Sequence, residues 1–354
     1  MEGLLVMADI SGYTKFVAGT EADHSREILA ELMDGIAKSF GGKLSIDQVE
    51  GDALACTTER TDVEVVDWLR ETFRLFHGRL RDIRTATTCP CRACATVQDL
   101  GLKFIVHRGE FSRYEVAGRV QLHGNDVNVV HRLLKNTVPL REYLLATALA
   151  SAPWPGSVRG ALISAPQRYD VGEIDAAYLD LRPVRDAVWS AERPKVDPAS
   201  AKVRGSARYP GTPEQVFRFF TDPSLRQIWM GVPRVDFVAG ARGSLVGAEY
   251  HCVHGENMKT VFKVIDVSAP HELTLQIDLP LVGTVWQTDR LEAEGPSVTR
   301  VDTAISWKSQ GLRGPIVDFM AARMLRKYGD MYHKKVSEML AEPAGAQEIA
   351  RPSV

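Results

Sequence analysis

The sequence predicts an α+β protein of two domains, and three observations lead to this prediction. A length of 354 residues suggests two domains, and a hydrophobic content of 45% is enough for two separate cores. In the first half, strand-like and helix-like segments alternate as in a ferredoxin-like or palm-type domain. In the second half, strand-like segments precede one long amphipathic segment, which predicts a curved antiparallel sheet that grips a C-terminal helix.

The boundary between the domains is predicted at a proline-rich break. Between about residues 183 and 202, three prolines, several charges and small residues interrupt any regular period. We therefore predict a first domain over 1–182, a linker over 183–202, a second domain over 203–341 and a frayed tail over 342–354.

The elements of the first domain follow from short patterns. Leu4 to Ile10 is an apolar run suited to a buried strand, and Ser25 to Ser39 repeats apolar residues at a helical period. A hairpin turns at Gly51-Asp52, because glycine allows a tight turn between two strand-like segments. The remaining predicted elements are strands at 43–49, 53–57 and 102–107 and helices at 63–80 and 127–134.

The second domain is predicted from turn signals between alternating segments. Glycines and prolines separate the strand-like segments, and a helical period runs from about residue 314 to 340. The predicted strands are 203–209, 249–253, 260–267, 272–278, 284–292 and 299–307, with a short helix at 213–220.

Charge and composition argue against several classes of protein. The formal net charge of −2 gives no electrostatic reason to expect a nucleic acid partner. No apolar run approaches the roughly 20 residues that span a bilayer, and the apolar start at 4–7 lacks the basic flank of a secretory signal. We expect a cytoplasmic protein with no membrane span.

Two acidic residues stand where divalent-metal chemistry would need them. Asp9 ends the first predicted strand, and Asp52 lies at the tip of the hairpin. In a palm-type sheet these strands are neighbours, so the two carboxylates could meet, and Mg²⁺ prefers carboxylate oxygens. The pattern also has a purely structural interpretation, because an Asp after a strand is commonly a turn residue.

Three motifs resemble class III adenylyl and guanylyl cyclases, in that family's order, across roughly residues 4–182. MADISGYT at 7–14 is similar to the opening strand and loop, EGDALA at 50–55 to the hairpin, and LHGNDVNVVHRL at 122–133 to the transition-state motif. The chain also resembles an uncharacterised bacterial cyclase-like family, through its cysteine-rich segment and HRLLKN at 131–136.

The resemblance implies a role for each matching residue. Asp9 and Asp52, with the carbonyl of Ile10, would bind two Mg²⁺ or Mn²⁺ ions. Arg132 would stabilise charge on the α-phosphate, and Asn128 would orient the ribose. In this family the metal ligands and the Asn/Arg pair of one site come from different subunits, so a homodimer is expected.

Two positions that read the base in this family are changed. Gln48 stands where adenylyl cyclases of the family have a lysine, and Gln121 stands at their second base-reading position. Both are candidate nucleotide-binding residues. An amide both donates and accepts hydrogen bonds, so Gln121 does not choose cleanly between purines. A late phosphate-binding lysine has no convincing match, and both base preference and turnover are left open.

Three cysteines form a tight cluster before the predicted central strand. Cys89, Cys91 and Cys94 could give three thiolates to Zn²⁺, which normally takes four protein ligands in a structural site. The fourth ligand would come from elsewhere, with three candidates: Cys56, His77 and His107. A redox-sensitive loop, or three reduced cysteines without a metal, are the alternatives.

The second half resembles the START-like (SRPBCC) superfamily, which includes polyketide cyclases. Residues 203–229 are similar to its opening, and the resemblance extends over about 201–341. The superfamily holds apolar ligands between sheet and helix, which implies an apolar small molecule as partner. The candidate pocket residues are Trp229, Phe237, Tyr250, Trp286, Trp307 and Met320. Such side chains are commonly core residues, which is the alternative interpretation.

These observations give one leading hypothesis and two alternatives. The leading hypothesis is a signalling enzyme, a nucleotidyl cyclase-like lyase that uses two metal ions to convert a nucleoside triphosphate to a cyclic nucleotide and pyrophosphate. An apolar ligand of the second domain would regulate it. The first alternative is a sensor that binds nucleotide or metal without turnover. The second is a START-like lipid or polyketide handler with a cyclase-like dimerisation module.

Overall fold

A computed structural model describes residues 1–60, 64–87, 89, 91–170, 172–240, 245–255, 259–280, 282–308 and 314–341. The chain divides into two compact units, Met1–Arg84 with Cys89–Ala191 and Thr85–Thr88 with Glu192–Val354. The predicted tail, 342–354, lies outside the described residues. None of the helices that the structure describes has the length and hydrophobicity needed to traverse a lipid bilayer.

The first unit mixes strands and helices, as predicted. Its strands are β1 (Glu2–Ser11), β2 (Ser45–Glu50), β3 (Ala53–Thr58), β4 (Gly101–Glu110), β5 (Ser112–Val116), β6 (Arg119–His123), β7 (Tyr143–Thr147), β8 (Ile163–Ser164), β9 (Gln167–Tyr169), β10 (Gly172–Ile174) and β11 (Ala176–Asp180). Its helices are α1 (Tyr13–Gly19), α2 (Ala22–Ser39), α3 (Val65–Ala86), α4 (Arg92–Thr96), α5 (Asn125–Leu133), α6 (Ala148–Ser151), α7 (Gly156–Arg159) and α8 (Arg182–Ser190).

β1 lies inside the main sheet of this unit, whose order is β2-β3-β1-β4-β7-β11-β8. It pairs antiparallel with both β3 and β4. Leu4, Val6 and Ile10 pack with residues of α2 and α3, whereas Leu5 and Met7 pack on the opposite face with residues of α5. Because both faces are covered, β1 has the near-continuous apolar run that marked it as a buried strand.

The start of α5 is anchored to β4 by one partly buried polar network. Nε2 of His107 lies 3.1 Å from Oδ1 of Asp126, and Nδ1 of His107 lies 3.0 Å from the hydroxyl of Thr147. The other Asp126 oxygen accepts a hydrogen bond from the backbone N–H of Glu110 at 2.7 Å. Gly109 leaves room for this carboxylate, because a Cβ there would come within 2.3 Å of its Cγ.

The predicted linker needs a correction over residues 183–190, which belong to helix α8. Pro183 occupies the first turn of this helix, where a missing N–H costs no hydrogen bond, so the proline does not break it. Val184 and Trp189 pack against the core of the first unit. Arg185 donates a 2.7 Å hydrogen bond to the buried Glu142. The helix therefore packs as part of the first unit.

The second unit is an antiparallel sheet with one long helix, which confirms the predicted architecture. Its strands follow the order β12-β18-β17-β16-β15-β14-β13, and all neighbouring pairs are antiparallel. The strands are β12 (Val203–Pro210), β13 (Arg234–Val238), β14 (Glu249–Val253), β15 (Lys259–Ser268), β16 (Glu272–Leu279), β17 (Gly283–Gly295) and β18 (Val298–Trp307). The helices are α9 (Pro213–Thr221), α10 (Pro223–Met230) and α11 (Gly314–Ala341).

Replacing Gly109 by alanine is expected to lower the free energy of unfolding by about 1–3 kcal/mol, the usual cost of a buried polar group that loses its partners. The added methyl group would displace Asp126 from His107 and Glu110. The measurement is chemical denaturation of the full chain. Gly78→Ala is the matched control, because a Cβ at this position of α3 meets nothing within 4 Å and a helical alanine is favourable. Equal stability of the two variants would contradict the anchoring role of Asp126.

Candidate functional site

The pairing of β1 with β3 brings Asp9 and Asp52 to the same end of the sheet. Asp9 stands opposite Ala53, the residue after Asp52, and the N–H of Ile10 donates to the carbonyl of Asp52 at 3.0 Å. Gly51 makes the hairpin turn with a φ of 63°, in the left-handed region that favours glycine. The two side chains are close enough that the negative charge of Asp52 raises the pKa of Asp9.

Lys103 is a third member of this group that sequence reasoning missed. It stands opposite Asp9 on β4, and its Nζ lies 3.4 Å from Oδ1 of Asp9. Burial raises the pKa of Asp9, the ammonium of Lys103 lowers it and Asp52 raises it, with a net upward shift. The available signal was a lone lysine inside the otherwise apolar segment of β4, which a buried strand tolerates only beside a partner.

The two predicted base-reading residues meet in the structure. Nε2 of Gln48, on β2, donates a 2.6 Å hydrogen bond to Oε1 of Gln121, on β6. Both line a pocket with a volume of about 590 Å³ at the outer edge of the sheet. Asp47 holds this edge together, because its carboxylate accepts 2.6 Å hydrogen bonds from Thr57 and from Arg113.

Asn128 and Arg132 both expose their side chains on α5, four residues apart, while Val127, Val130 and Leu133 bury the other face of the helix. The guanidinium of Arg132 forms a 2.8 Å ion pair with Asp170. Within one chain, the structure therefore pairs Arg132 with Asp170 and Asp9 with Lys103, rather than Arg132 with either candidate metal ligand.

The three clustered cysteines lie at the start of α4 and meet a histidine that the sequence did not single out. Cys91 is the N-cap of α4, and its sulfur accepts from the N–H of Cys94 at 3.4 Å. Nδ1 of His24, on α2, lies 3.1 Å from the sulfur of Cys91 and 3.6 Å from that of Cys89. Although burial raises the pKa of the Cys91 thiol, hydrogen bonds from Cys94 and His24 bring it down to about 7.

The three residues suggested as a fourth zinc ligand are placed elsewhere, so that suggestion is wrong. Cys56 is buried on β3, opposite Val6 on β1. His77 is buried on α3, where Nε1 of Trp189 donates to it at 3.3 Å. His107 is held by Asp126 and Thr147 in the network beneath α5. No local pattern marks His24, because it lies 65 positions before Cys89 in the chain.

The second unit contains a cavity of about 480 Å³ between its sheet and α11. Trp229 lines it, as predicted, together with apolar residues that include Leu275, Ile277 and Tyr328. The other five predicted pocket residues, Phe237, Tyr250, Trp286, Trp307 and Met320, are not among its lining residues.

Each of these five side chains has another environment. Phe237 is 38% exposed and its ring packs on Tyr250, whose buried hydroxyl donates to the carbonyl of Thr221. Trp286 alternates on β17 with the cavity-lining Gln287, so it points to the opposite face. Trp307 is buried and donates to Asp318 at 2.7 Å. Met320 is 66% exposed, one helical turn before the cavity-lining Met324.

Polar residues form one part of the cavity wall, and the sequence analysis did not identify them. The buried carboxylate of Asp289 accepts hydrogen bonds from Thr303 at 2.5 Å and Gln287 at 2.7 Å. The hydroxyl of Tyr209 is hydrogen-bonded to Nδ1 of His333. Burial raises the pKa of Asp289 and lowers that of His333. The signal was the alternation of β17, which places Gln287 and Asp289 on the same face as the apolar Val285.

Two family models match the chain. One is described as "Protein of unknown function (DUF2652)" and matches residues 29–143. The other is described as "Polyketide cyclase / dehydrase and lipid transport" and matches residues 200–338, which supports the START-like assignment of the second unit. The chain is also 32% identical over 158 residues to the uncharacterized protein Rv2561/Rv2562 of Mycobacterium tuberculosis, covering 43% of this chain and 73% of that protein.

Nucleotide cyclases are among the solved structures that resemble the chain. A bacterial light-regulated adenylyl cyclase is 13% identical with a TM-score of 0.40, and the match spans 53% of this chain but only 57% of that one. The guanylyl cyclase Cya2 is 14% identical with a TM-score of 0.40, over 50% of this chain and 91% of that one. The adenylyl cyclase CyaB from P. aeruginosa is 15% identical with a TM-score of 0.37, over 51% and 94%. These comparisons assign no activity.

Replacing Lys103 by methionine is expected to raise the pKa of Asp9 further, because burial and Asp52 remain while the neighbouring ammonium is lost. A carboxyl group with a raised pKa binds its proton more tightly in the folded state. The free energy of unfolding therefore falls as the pH rises from 3.8 through the pKa of Asp9, and it should fall more in the variant. NMR titration that detects the carboxyl carbons measures the pKa of Asp9 in the wild type and in the variant. Lys135→Met, which removes an exposed lysine, is the control. An unchanged Asp9 titration would contradict the ion pair.

Proposed function

We propose that the first unit binds a nucleoside triphosphate and converts it to a cyclic nucleotide and pyrophosphate. The chain belongs to the family of the Mycobacterium tuberculosis protein Rv2561/Rv2562. The observation that carries the proposal is the meeting of Asp9 and Asp52 at the end of β1. The order of the motifs along the chain and the contact between Gln48 and Gln121 support it.

The donor groups at this position suit a divalent cation of the Mg²⁺ or Mn²⁺ type. Two carboxylates and nearby backbone carbonyls are hard oxygen ligands, and the like charge of Asp52 already disfavours ionised Asp9. In the proposed site Asp9, Asp52 and the Ile10 carbonyl would hold the metal ions. When bound, such ions activate the ribose hydroxyl and neutralise triphosphate charge. The ammonium of Lys103 places one positive charge 3.4 Å from Oδ1 of Asp9.

Gln48 and Gln121 are proposed to contact the base. Their amides share one hydrogen bond of 2.6 Å in the structure, and an entering base would replace it. Because each amide can donate and accept, the pair can adapt to adenine or to guanine. We therefore expect weak discrimination between ATP and GTP.

Arg132 and Asn128 are proposed to act on the nucleotide of a second subunit. Their side chains face solvent on α5, which leaves them accessible to a partner chain. Arg132 would exchange Asp170 for phosphate oxygens and stabilise charge as it develops on the α-phosphate, while the Asn128 amide would orient the ribose. Each site would then consist of groups from both chains of a homodimer.

The proposal is tested by incubating the purified protein with each of the four nucleoside triphosphates and Mn²⁺, and by searching for cyclic products by mass spectrometry. Asp52→Asn and Arg132→Ala should each abolish product formation. Co-expressed with different tags, the two variants should recover about one quarter of wild-type activity, because half of randomly assembled dimers contain one intact site of two. Absence of product with every triphosphate would overturn the catalytic proposal. Nucleotide-dependent thermal shifts in that case would favour the non-catalytic sensor.

We propose for the second unit that its cavity binds an apolar ligand with one polar group. The apolar wall and the polar side chains of Asp289, His333 and Tyr209 suit such a molecule. Regulation of the first unit by this ligand is part of the proposal.

Filling the cavity is expected to block binding of a fluorescent long-chain fatty acid. Gly329 lies on the cavity wall, and a Cβ there meets nothing within 4 Å, so Gly329→Leu can add a side chain without a backbone clash. We expect the affinity for the probe to fall about tenfold or more, which corresponds to ~1.4 kcal/mol. Gly35→Leu is the control, since it places the same side chain at an open helical position of α2. Equal affinities for the two variants would place the probe outside this cavity.

A further inference from the structure

Four side chains with the ligand types of a structural zinc site converge between α2 and α4 of the first unit. They are His24, Cys89, Cys91 and Cys94, and their ligand atoms all lie within 4.8 Å of one another. His24 comes from the first turns of α2, whereas the cysteines lie at and before the start of α4. The spacing of the cysteines alone keeps them close together, but only tertiary packing brings His24 to them.

The separations of the ligand atoms lie within about 1 Å of those that a tetrahedral metal ion needs. With Zn–S bonds near 2.3 Å and Zn–N bonds near 2.0–2.1 Å, neighbouring ligand atoms of a tetrahedron are about 3.5–3.8 Å apart. Nδ1 of His24 lies 3.6 Å from the sulfur of Cys89 and 3.1 Å from that of Cys91. Closing the remaining separations requires shifts of about 1 Å at most from the 4.8 Å limit.

We propose that His24, Cys89, Cys91 and Cys94 bind one structural Zn²⁺ ion. Three thiolates and one imidazole are a complete set of four protein ligands, which is typical of structural zinc and leaves no open position for catalysis. An odd number of cysteines cannot all form disulfides among themselves, and a disulfide gives the histidine no role. Metal binding would release the protons of those thiols that are protonated to solvent as the Zn–S bonds form.

The surroundings of the site also suit a structural role. The carboxylate of Glu21, at the N-terminus of α2, accepts 3.1 Å hydrogen bonds from the N–H groups of Arg92 and Ala93, the first residues of α4. Cys94 and Ala93 are buried in the core of the unit, and Cys91 packs against it. A helix of five residues is not stable by itself, so these contacts and the proposed metal would hold α4 on α2.

This site is independent of the proposed nucleotide chemistry. Its donors are thiolates and an imidazole, which favour zinc, whereas Asp9 and Asp52 offer the oxygens that magnesium prefers. Loss of zinc should therefore be measurable without any nucleotide, and failure of either proposal leaves the other standing.

The first test measures the metal content of the full-length protein by inductively coupled plasma mass spectrometry. The protein is purified under reducing conditions. We expect one zinc ion per chain, released when a mercurial reagent modifies the thiols. Protein in which Co²⁺ replaces zinc should show thiolate-to-metal charge-transfer absorption and the spectrum of tetrahedral coordination. Wild-type protein that contains no zinc, and that gives no such spectrum with Co²⁺, would overturn the proposal.

The second test assigns the ligands. His24→Ala and Cys94→Ser should each weaken zinc binding at least about 100-fold, since even changes outside the ligand set can cost that much. His123→Ala is the matched control, because His123 is an exposed histidine of the same unit outside the cluster. If His24→Ala retains wild-type zinc affinity, the four-ligand assignment is wrong. Should a variant fail to fold, the metal content and Co²⁺ spectrum of the wild-type protein still decide the matter.

Discussion

β1 is hydrogen-bonded to β3 along one edge and to β4 along the other, and the candidate nucleotide site depends on both ladders. The β3 register places Asp9 beside the hairpin tip that carries Asp52, and the β4 register places it opposite Lys103. Because side chains alternate along a strand, a slip of one residue would turn Asp9 to the other face. The ladders to β3 and β4 oppose that slip together, because both would have to break for β1 to move, so residues distant from the acidic pair maintain its geometry.

Much of this arrangement could be predicted from the sequence, because the relevant patterns are long or specific. β1, α2, α3, β4 and α5 have clear periods, and a palm-type sheet implies that β1 and the hairpin are neighbours, as the structure shows. Gln48 and Gln121, to which the resemblance assigns a shared role, lie in hydrogen-bond contact in the structure. Lys103 could not be assigned in this way, because its partner depends on the register between two strands that no local pattern specifies.

The proposed zinc ligands and the cavity show two further limits of sequence reasoning. Cys56, His77 and His107 were chemically acceptable as the fourth ligand. Only tertiary packing distinguishes His24 from them. In the second unit, aromatic residues were the natural choice for a pocket. A shift of one position decides whether a side chain of β17 faces the cavity, however, and Gln287 faces it while Trp286 does not.

The network beneath α5 has a consequence for how this chain can vary. The carboxylate of Asp126 occupies the space that any side chain at position 109 would fill, and it is shared between His107 and the backbone of Glu110. A homologue that acquires a side chain at 109 must therefore also lose or move the carboxylate at 126, and His107 then needs a new partner. Positions 107, 109 and 126 should covary as a group during evolution, even though none of them belongs to the candidate site that their network positions.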